Sequence, residues 1–171
     1  WRGAWRVGGI AAVVAGLIAW SMAPPRADLL VGPEARLIGV MVPEGRALDH
    51  DKAQSFAAKS WLRRDGDAAE QSIAAQRATF GRIKGGLSAE LPDGWRLEAR
   101  WSKNVTMGEL KALCQPRTLL IAREGGPVDG PCRYFGKREL RQGGAFSARF
   151  SGDALVVKTA RDPSRRRLWS R

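Results

Sequence analysis

Trp95-Arg96-Leu97-Glu98-Ala99-Arg100-Trp101 (WRLEARW) is the stretch whose reading decides the fold. Trp95, Leu97, Ala99 and Trp101 alternate with Arg96, Glu98 and Arg100, the period of a strand with one buried face. A helix would scatter the same residues around its circumference. Upstream, Leu87 to Leu91 and the turn Pro92-Asp93-Gly94 make this strand one arm of a β-hairpin.

The same signals recur outward from it. Asp28 to Val31 (DLLV) and Arg36 to Val42 (RLIGVMV) read as short apolar strands, and Pro43-Glu44-Gly45 turns the second into Arg46-Ala47-Leu48. Asp49 or Asp51 is placed to cap the helix DKAQSFAAKSWLRR, which is expected to bury Phe56 and Trp61 and expose Lys52, Lys59 and Arg63. Gly66 ends that helix, and Asp67 is placed to cap a further helical piece through about Arg77.

Downstream, Thr106-Met107-Gly108-Glu109 has the spacing of a capping box, so a short helix runs to about Cys114. Thr118 to Ala122 (TLLIA) and Cys132 to Phe135 read as strands around a Gly/Pro loop. Lys137 to Arg141 is one helical turn, and Ala145–Phe150 with Ala154–Ala160 closes the chain as a hairpin. The expected fold class is therefore mixed α/β, with several antiparallel β-hairpins and short helices.

Ahead of this domain stands WRGAWRVGGIAAVVAGLIAWSMAPP, residues 1–25. No charge lies between Arg6 and Arg26, and the 17 residues Val7–Ala23 would reach about 25 Å as a helix, against roughly 30 Å of bilayer hydrocarbon. Trp1, Trp5 and Trp20 suit the two interfaces, and Pro24-Pro25 ends the helix. The expectation is one transmembrane helix over 1–25, a soluble domain over 26–160 and a basic tail over 161–171. A buried core helix and a signal peptide cleaved after Ser21-Met22-Ala23 are the alternatives. The absence of an initial Met favours the last helix of a longer protein. Arg2 and Arg6 before the span, against Arg26 after it, place the domain outside the cytoplasm.

Beyond residue 25 lie all 17 acidic residues and 27 of the 29 basic ones. From Arg133 to Arg171 there are 11 Lys or Arg against 3 acids, so most of the net charge of +12 sits at the C-terminal end. Such a surface attracts polyanions, either nucleic acid phosphates or anionic lipid headgroups, unless it is simply a solvated face. The candidate phosphate contacts are Arg63, Arg64, Lys137, Arg138, Arg141, Arg165, Arg166 and Arg167, with Trp169 as a stacking partner. The terminal run also suits a membrane interface.

Cys114 and Cys132 are the two cysteines. In an oxidising compartment they permit a disulfide worth roughly 3 kcal/mol; in the cytoplasm two reduced, buried thiols are the default. No constellation argues for an enzyme, a metal or a cofactor. His50, the single histidine, stands in Asp49-His50-Asp51, whose consecutive side chains diverge, so a surface helix start is the expected role. Arg63-Arg64-Asp65-Gly66-Asp67 reads as a helix end with dipole-matched charges rather than a catalytic carboxylate pair. Gly85-Gly86, Gly125-Gly126 and Gly143-Gly144 lack the spacing of a phosphate loop.

A helix running into PPRADLLVGPEARLIGVMVPEGRALDHDKAQSFAAKSWLRRDGDA resembles the C-terminal part of the ComEC family of DNA-internalisation competence proteins, in its alphaproteobacterial form. The resemblance is carried by Asp28–Val31, the Arg36–Val40 strand and above all Trp61-Leu62-Arg63-Arg64-Asp65-Gly66-Asp67. Cys114, TLLIA, Cys132 and the stretch from Glu139 to Ala145 fit the same tail. It implies a multi-pass inner-membrane channel that passes single-stranded DNA, this chain being its last helix and its periplasmic terminal domain. DNA, the membrane, other helices of the same chain and other competence proteins are the implied partners.

In metal-bearing relatives the terminal domain is similar to metallo-β-lactamases and carries a His/Asp motif for degrading DNA. One histidine cannot supply that motif, so a degenerate, non-catalytic remnant of that fold is implied. Similar tails also carry cysteines where this chain has Phe80 to Gly86, so one further bridge of the family is absent here. The expected function is a DNA-binding or DNA-guiding terminal domain. The alternative is a membrane-anchored structural domain that braces a polytopic protein or binds anionic headgroups without DNA contact. A diverged hydrolase dependent on His50 is the third reading.

Overall fold

The structure is a computed structural model that describes residues 5–21 and 25–161. After a first helix α1 (Trp5–Ser21) come strands β1 (Leu29–Val31), β2 (Ile38–Val42) and β3 (Gly45–Leu48) and helices α2 (Ser55–Arg64) and α3 (Gln71–Ala74). Then follow β4 (Phe80–Ile83), β5 (Gly86–Glu90), β6 (Arg96–Arg100), α4 (Met107–Leu113) and β7 (Thr118–Ala122). The chain closes with β8 (Arg133–Phe135), α5 (Lys137–Gly143), β9 (Phe146–Ser151) and β10 (Ala154–Thr159).

The strands form two five-stranded sheets, ordered β10-β9-β1-β2-β3 and β4-β5-β6-β7-β8. The first is antiparallel throughout. The second is mixed: β4, β5 and β6 run antiparallel, and β6, β7 and β8 run parallel. The parallel step exists because α4 provides the crossover between β6 and β7, as a parallel pair requires. The architecture is thus mixed α/β with hairpins and short helices, as the hydrophobic periods predict, and with a parallel half that they do not show.

The two sheets face each other across one core. Leu29, Val31, Ile38 and Val40 of the first sheet meet Leu87, Leu97, Leu119 and Ile121 of the second, with Phe146 and Phe150 closing the end. Each outer face carries its own helical cover. Leu37 and Leu48 pack under Ala58 and Leu62 of α2 and Ala74 of α3, while Leu120 and Ala122 pack under Leu110 of α4. Four layers result: helix, sheet, sheet, helix. Burial on both faces explains a departure in WRLEARW. Its alternate residues Glu98 and Arg100 are buried as well as Leu97 and Ala99, because α4 roofs the outer face and the two charges pair beneath it at 3.0 Å.

Two sequence expectations need correction, and one strand goes beyond them. Phe56 is 88% exposed rather than buried. The helix starts at Ser55, not near Asp51, after Gln54 in a left-handed conformation (φ 48°), and it docks through Ala58 and Leu62. Asp49-His50-Asp51 is accordingly no helix start. Asp49 is buried at the end of β3, where its Oδ1 accepts the Ile38 N–H at 2.7 Å. Phe80–Ile83, to which the sequence assigns no element, is a strand that hairpins into β5 over Lys84-Gly85, with Gly85 at φ +74° in the second turn position.

The transmembrane helix expected over 1–25 is, among the described residues, a 17-residue helix, and no described helix is long and apolar enough to cross a membrane. The core-helix alternative fails on burial. Ile10, Val13, Leu17 and Trp20 are 66%, 63%, 64% and 82% exposed, and a methyl group added at Gly8, Gly9 or Gly16 would touch nothing. The expected cleavage site continues past Ser21 outside the described residues.

Candidate functional site

At the rim where the two sheets meet, α5 lies over the short 3-10 turn Pro33–Ala35. Its start is fixed by Glu139, whose Oε2 accepts the Gly136 N–H at 3.2 Å, and its inner side by Leu140, 2% exposed. That leaves Lys137, Arg138 and Arg141 facing outward, as the helical period dictates. Here the structure brings together three of the sequence-predicted phosphate contacts.

It adds two cations that the sequence reading missed. Arg36 and Arg123 join Lys137 and Arg141 around a hollow of about 190 Å³, with Glu34, Glu124 and the apolar side of Leu140 completing the wall. Glu34 lies 2.8 Å from Arg36 and 3.9 Å from Arg141, and Glu124 is 3.0 Å from Lys137. Four cations against two carboxylates leave the hollow positive. Arg161 adds a further charge at its margin, its Nη1 donating to the Arg141 carbonyl at 3.1 Å.

Arg123 is the anchored member. Its Nη2 donates to the Ala35 carbonyl, its guanidinium lies 5.3 Å from the Trp101 ring centre, and its buried Nε has no partner. Burial lowers its pKa from the ordinary arginine range. The bond to Ala35 also holds a strained turn, since Glu34 and Ala35 both have left-handed backbone (φ 53° and 52°). The signal for Arg36 and Arg123 was present in the sequence: each abuts an apolar strand, so each is delivered to the rim of a sheet.

On the other side of α5 a second hollow, about 550 Å³, runs past Arg138, Tyr134 and Gly126. Tyr134 donates to the Gly126 carbonyl at 3.0 Å, and burial followed by the charge of Glu139 raises its pKa. The Arg138 side chain is 82% exposed, with its Nε 3.7 Å from Oε1 of Glu139.

Arg63 and Arg64 do not join this rim. They sit at the C-terminal end of α2, on the helical cover of the first sheet, where Arg63 lines a separate hollow of about 700 Å³. The acids of the same motif are structural. Gly66 (φ +70°) closes the helix with its N–H on the Arg63 carbonyl, and the Asp67 N–H reaches the Leu62 carbonyl at 2.8 Å. Asp65 pairs with buried Arg46, and Asp67 pairs with Arg77, which holds the Asp67 carboxyl below the usual carboxylate range. Arg165, Arg166, Arg167 and Trp169 lie outside the described residues.

Cys114 and Cys132 form a disulfide, with Cα atoms 4.8 Å apart, tying the end of α4 to the start of β8. His50 lies with its Nε2 3.6 Å from Oδ2 of buried Asp49, an oxygen with no hydrogen-bond partner; burial pushes the Asp49 pKa up. Among the described residues no three His, Cys, Asp or Glu side chains cluster to hold a metal ion. No protein family, curated protein or solved structure matches the chain.

Proposed function

We propose that this chain is a membrane-anchored, non-catalytic domain that holds DNA by its phosphates at the α5 rim, as the terminal part of a ComEC-type DNA-uptake channel. The observation that carries the reading is the set Arg36, Arg123, Lys137 and Arg141 around one hollow, with Arg138 beside it. Backbone phosphates need cations at spaced positions and no base-reading geometry, which suits a channel that takes any sequence. The fold placed there as a degenerate metallo-β-lactamase-like remnant rests on the resemblance alone.

Two further features support the setting. The disulfide favours an oxidising compartment, hence a periplasmic domain on an inner-membrane protein. The exposed apolar side chains of α1 favour a lipid environment. A helix of about 25 Å is shorter than the hydrocarbon, so it is accommodated by local thinning and by neighbouring helices of a longer chain. Other competence proteins are the partners such a channel would meet.

The test is binding of single- and double-stranded oligonucleotides of unrelated sequence to the detergent-solubilised chain. Binding that is indifferent to sequence and weakened by Lys137→Gln with Arg141→Gln is expected. No binding even at low salt would leave the second reading, a domain that braces a membrane protein, which the exposed α1 favours equally.

A further inference from the structure

We infer that the outward face of α2 is a docking surface for an anionic phospholipid bilayer, separate from the α5 rim; this rests on the reading that α1 is seated in lipid. Phe56, Lys59, Ser60 and Arg63 fall at i, i+3, i+4 and i+7 of α2 and are all exposed, with Arg64 beside them. Phe56 is the notable member. A phenylalanine 88% exposed in the first turn of a helix gives up apolar burial that an inward position would have supplied. Cations flanking an exposed aromatic ring are the composition of a helix that lies on a membrane interface.

Position in the chain selects lipid over other anions. Buried Arg46 donates from Nη2 to the Ala27 carbonyl at 3.0 Å while its Nε holds Asp65 at the end of α2. Arg26 reaches the same place, its Nη2 lying 3.8 Å from where a side chain on Gly66 would begin. The chain leaving α1 is thus fastened to the C-terminal end of α2. Ala27 lies six positions after Ser21, a reach of at most about 20 Å. With α1 in a bilayer, Arg26, Arg63 and Arg64 lie within reach of its headgroups. The acids nearby do not cancel the face: Asp65 and Asp67 are held by Arg46 and Arg77, leaving Asp51 and Glu70 in the adjoining hollow against Lys52, Lys59, Arg63 and Arg64.

The full chain is reconstituted into vesicles of phosphatidylcholine, with or without phosphatidylglycerol, and floated. Lysine acylation by a water-soluble reagent is then read by mass spectrometry. Lys59 should react about fivefold more slowly on the phosphatidylglycerol vesicles, the effect of roughly one surface cation engaged, while exposed Lys111 on α4 is unchanged. Phe56→Ser with Arg63→Gln should abolish the difference, and neither position is buried.

Flotation with both vesicles but unchanged Lys59 labelling would overturn the docking surface and leave the α1 anchor standing. Flotation with neither would remove the anchor and this inference with it. Protection of Lys59 by a single-stranded oligonucleotide on phosphatidylcholine vesicles, without phosphatidylglycerol, would assign the face to nucleic acid and overturn the lipid assignment.

Discussion

Arg46 and Asp65 form an ion pair with side chains 1% and 5% exposed, beneath the helical cover of the first sheet. Nη1 and Nη2 of the guanidinium each donate to a carbonyl, of Gly39 (3.2 Å) and Ala27 (3.0 Å). Gly39 makes the room: a Cβ there would come within 2.9 Å of the Arg46 side chain. One buried cation therefore joins β2, β3, the end of α2 and the segment that follows α1.

Breaking that pair from one side strands a charge in the interior. Arg46→Leu or Asp65→Ala is expected to lower unfolding free energy by about 3–5 kcal/mol, and replacing both together should recover a large part of the loss. Urea unfolding of the three variants forms the cycle. Additive losses would mean that the two side chains act independently.

How much of this could be seen beforehand follows from what each residue reports. WRLEARW gives the strand because its alternation is local, and TLLIA gives β7 because an apolar run of that length fits a strand buried on both sides. The burial of Glu98 and Arg100 could not be seen, since it depends on α4 folding back over the sheet. Phe56 misled for the same reason: an apolar residue at helical spacing marks a face, and tertiary packing chose the neighbouring one. At the site, the three α5 cations fall within five residues, Lys137 to Arg141, and are visible together in the sequence. Arg36 and Arg123 are 87 positions apart and converge only once the sheets stack.

The Cys114–Cys132 bridge closes a loop of 18 residues over the Gly/Pro segment between β7 and β8. Cross-linking restricts the unfolded chain, so Cys114→Ser with Cys132→Ser should cost about 3 kcal/mol. Thermal unfolding with and without reductant reads this directly. Reductant that leaves the wild-type transition unmoved would refute the contribution.

Acid sensitivity separates two aspartates of opposite sign. Arg77 holds the Asp67 carboxyl below its ordinary range, so this pair stabilises the fold above that range and the contribution is lost as pH falls through the lowered value. Burial raises the Asp49 pKa, so its folded form retains a proton that the unfolded chain has lost, and stability falls as pH rises through that window. Asp67→Asn should flatten the acid limb of the stability–pH curve. Asp49→Asn keeps the acceptor for the Ile38 N–H and should remove the opposing slope, measured by urea midpoints from acid to neutral pH.

The DNA reading makes a sharper demand than loss of binding. Each phosphate contact releases condensed counterions, so the logarithm of affinity for a single strand falls against the logarithm of salt with a slope of about 0.7 per contact. On that reading Lys137, Arg138 and Arg141 would contribute up to three contacts from one helix turn, each already shared with a carboxylate, Glu124, Glu139 and Glu34 in turn. Replacing all three with Gln should reduce the slope by about 1–2, because partly paired cations release fewer ions. Arg63→Gln with Arg64→Gln should leave it unchanged, since both residues end α2, away from the α5 rim. A triple variant that loses affinity equally at every salt concentration, with no change of slope, would mean that α5 shapes the rim without touching phosphate.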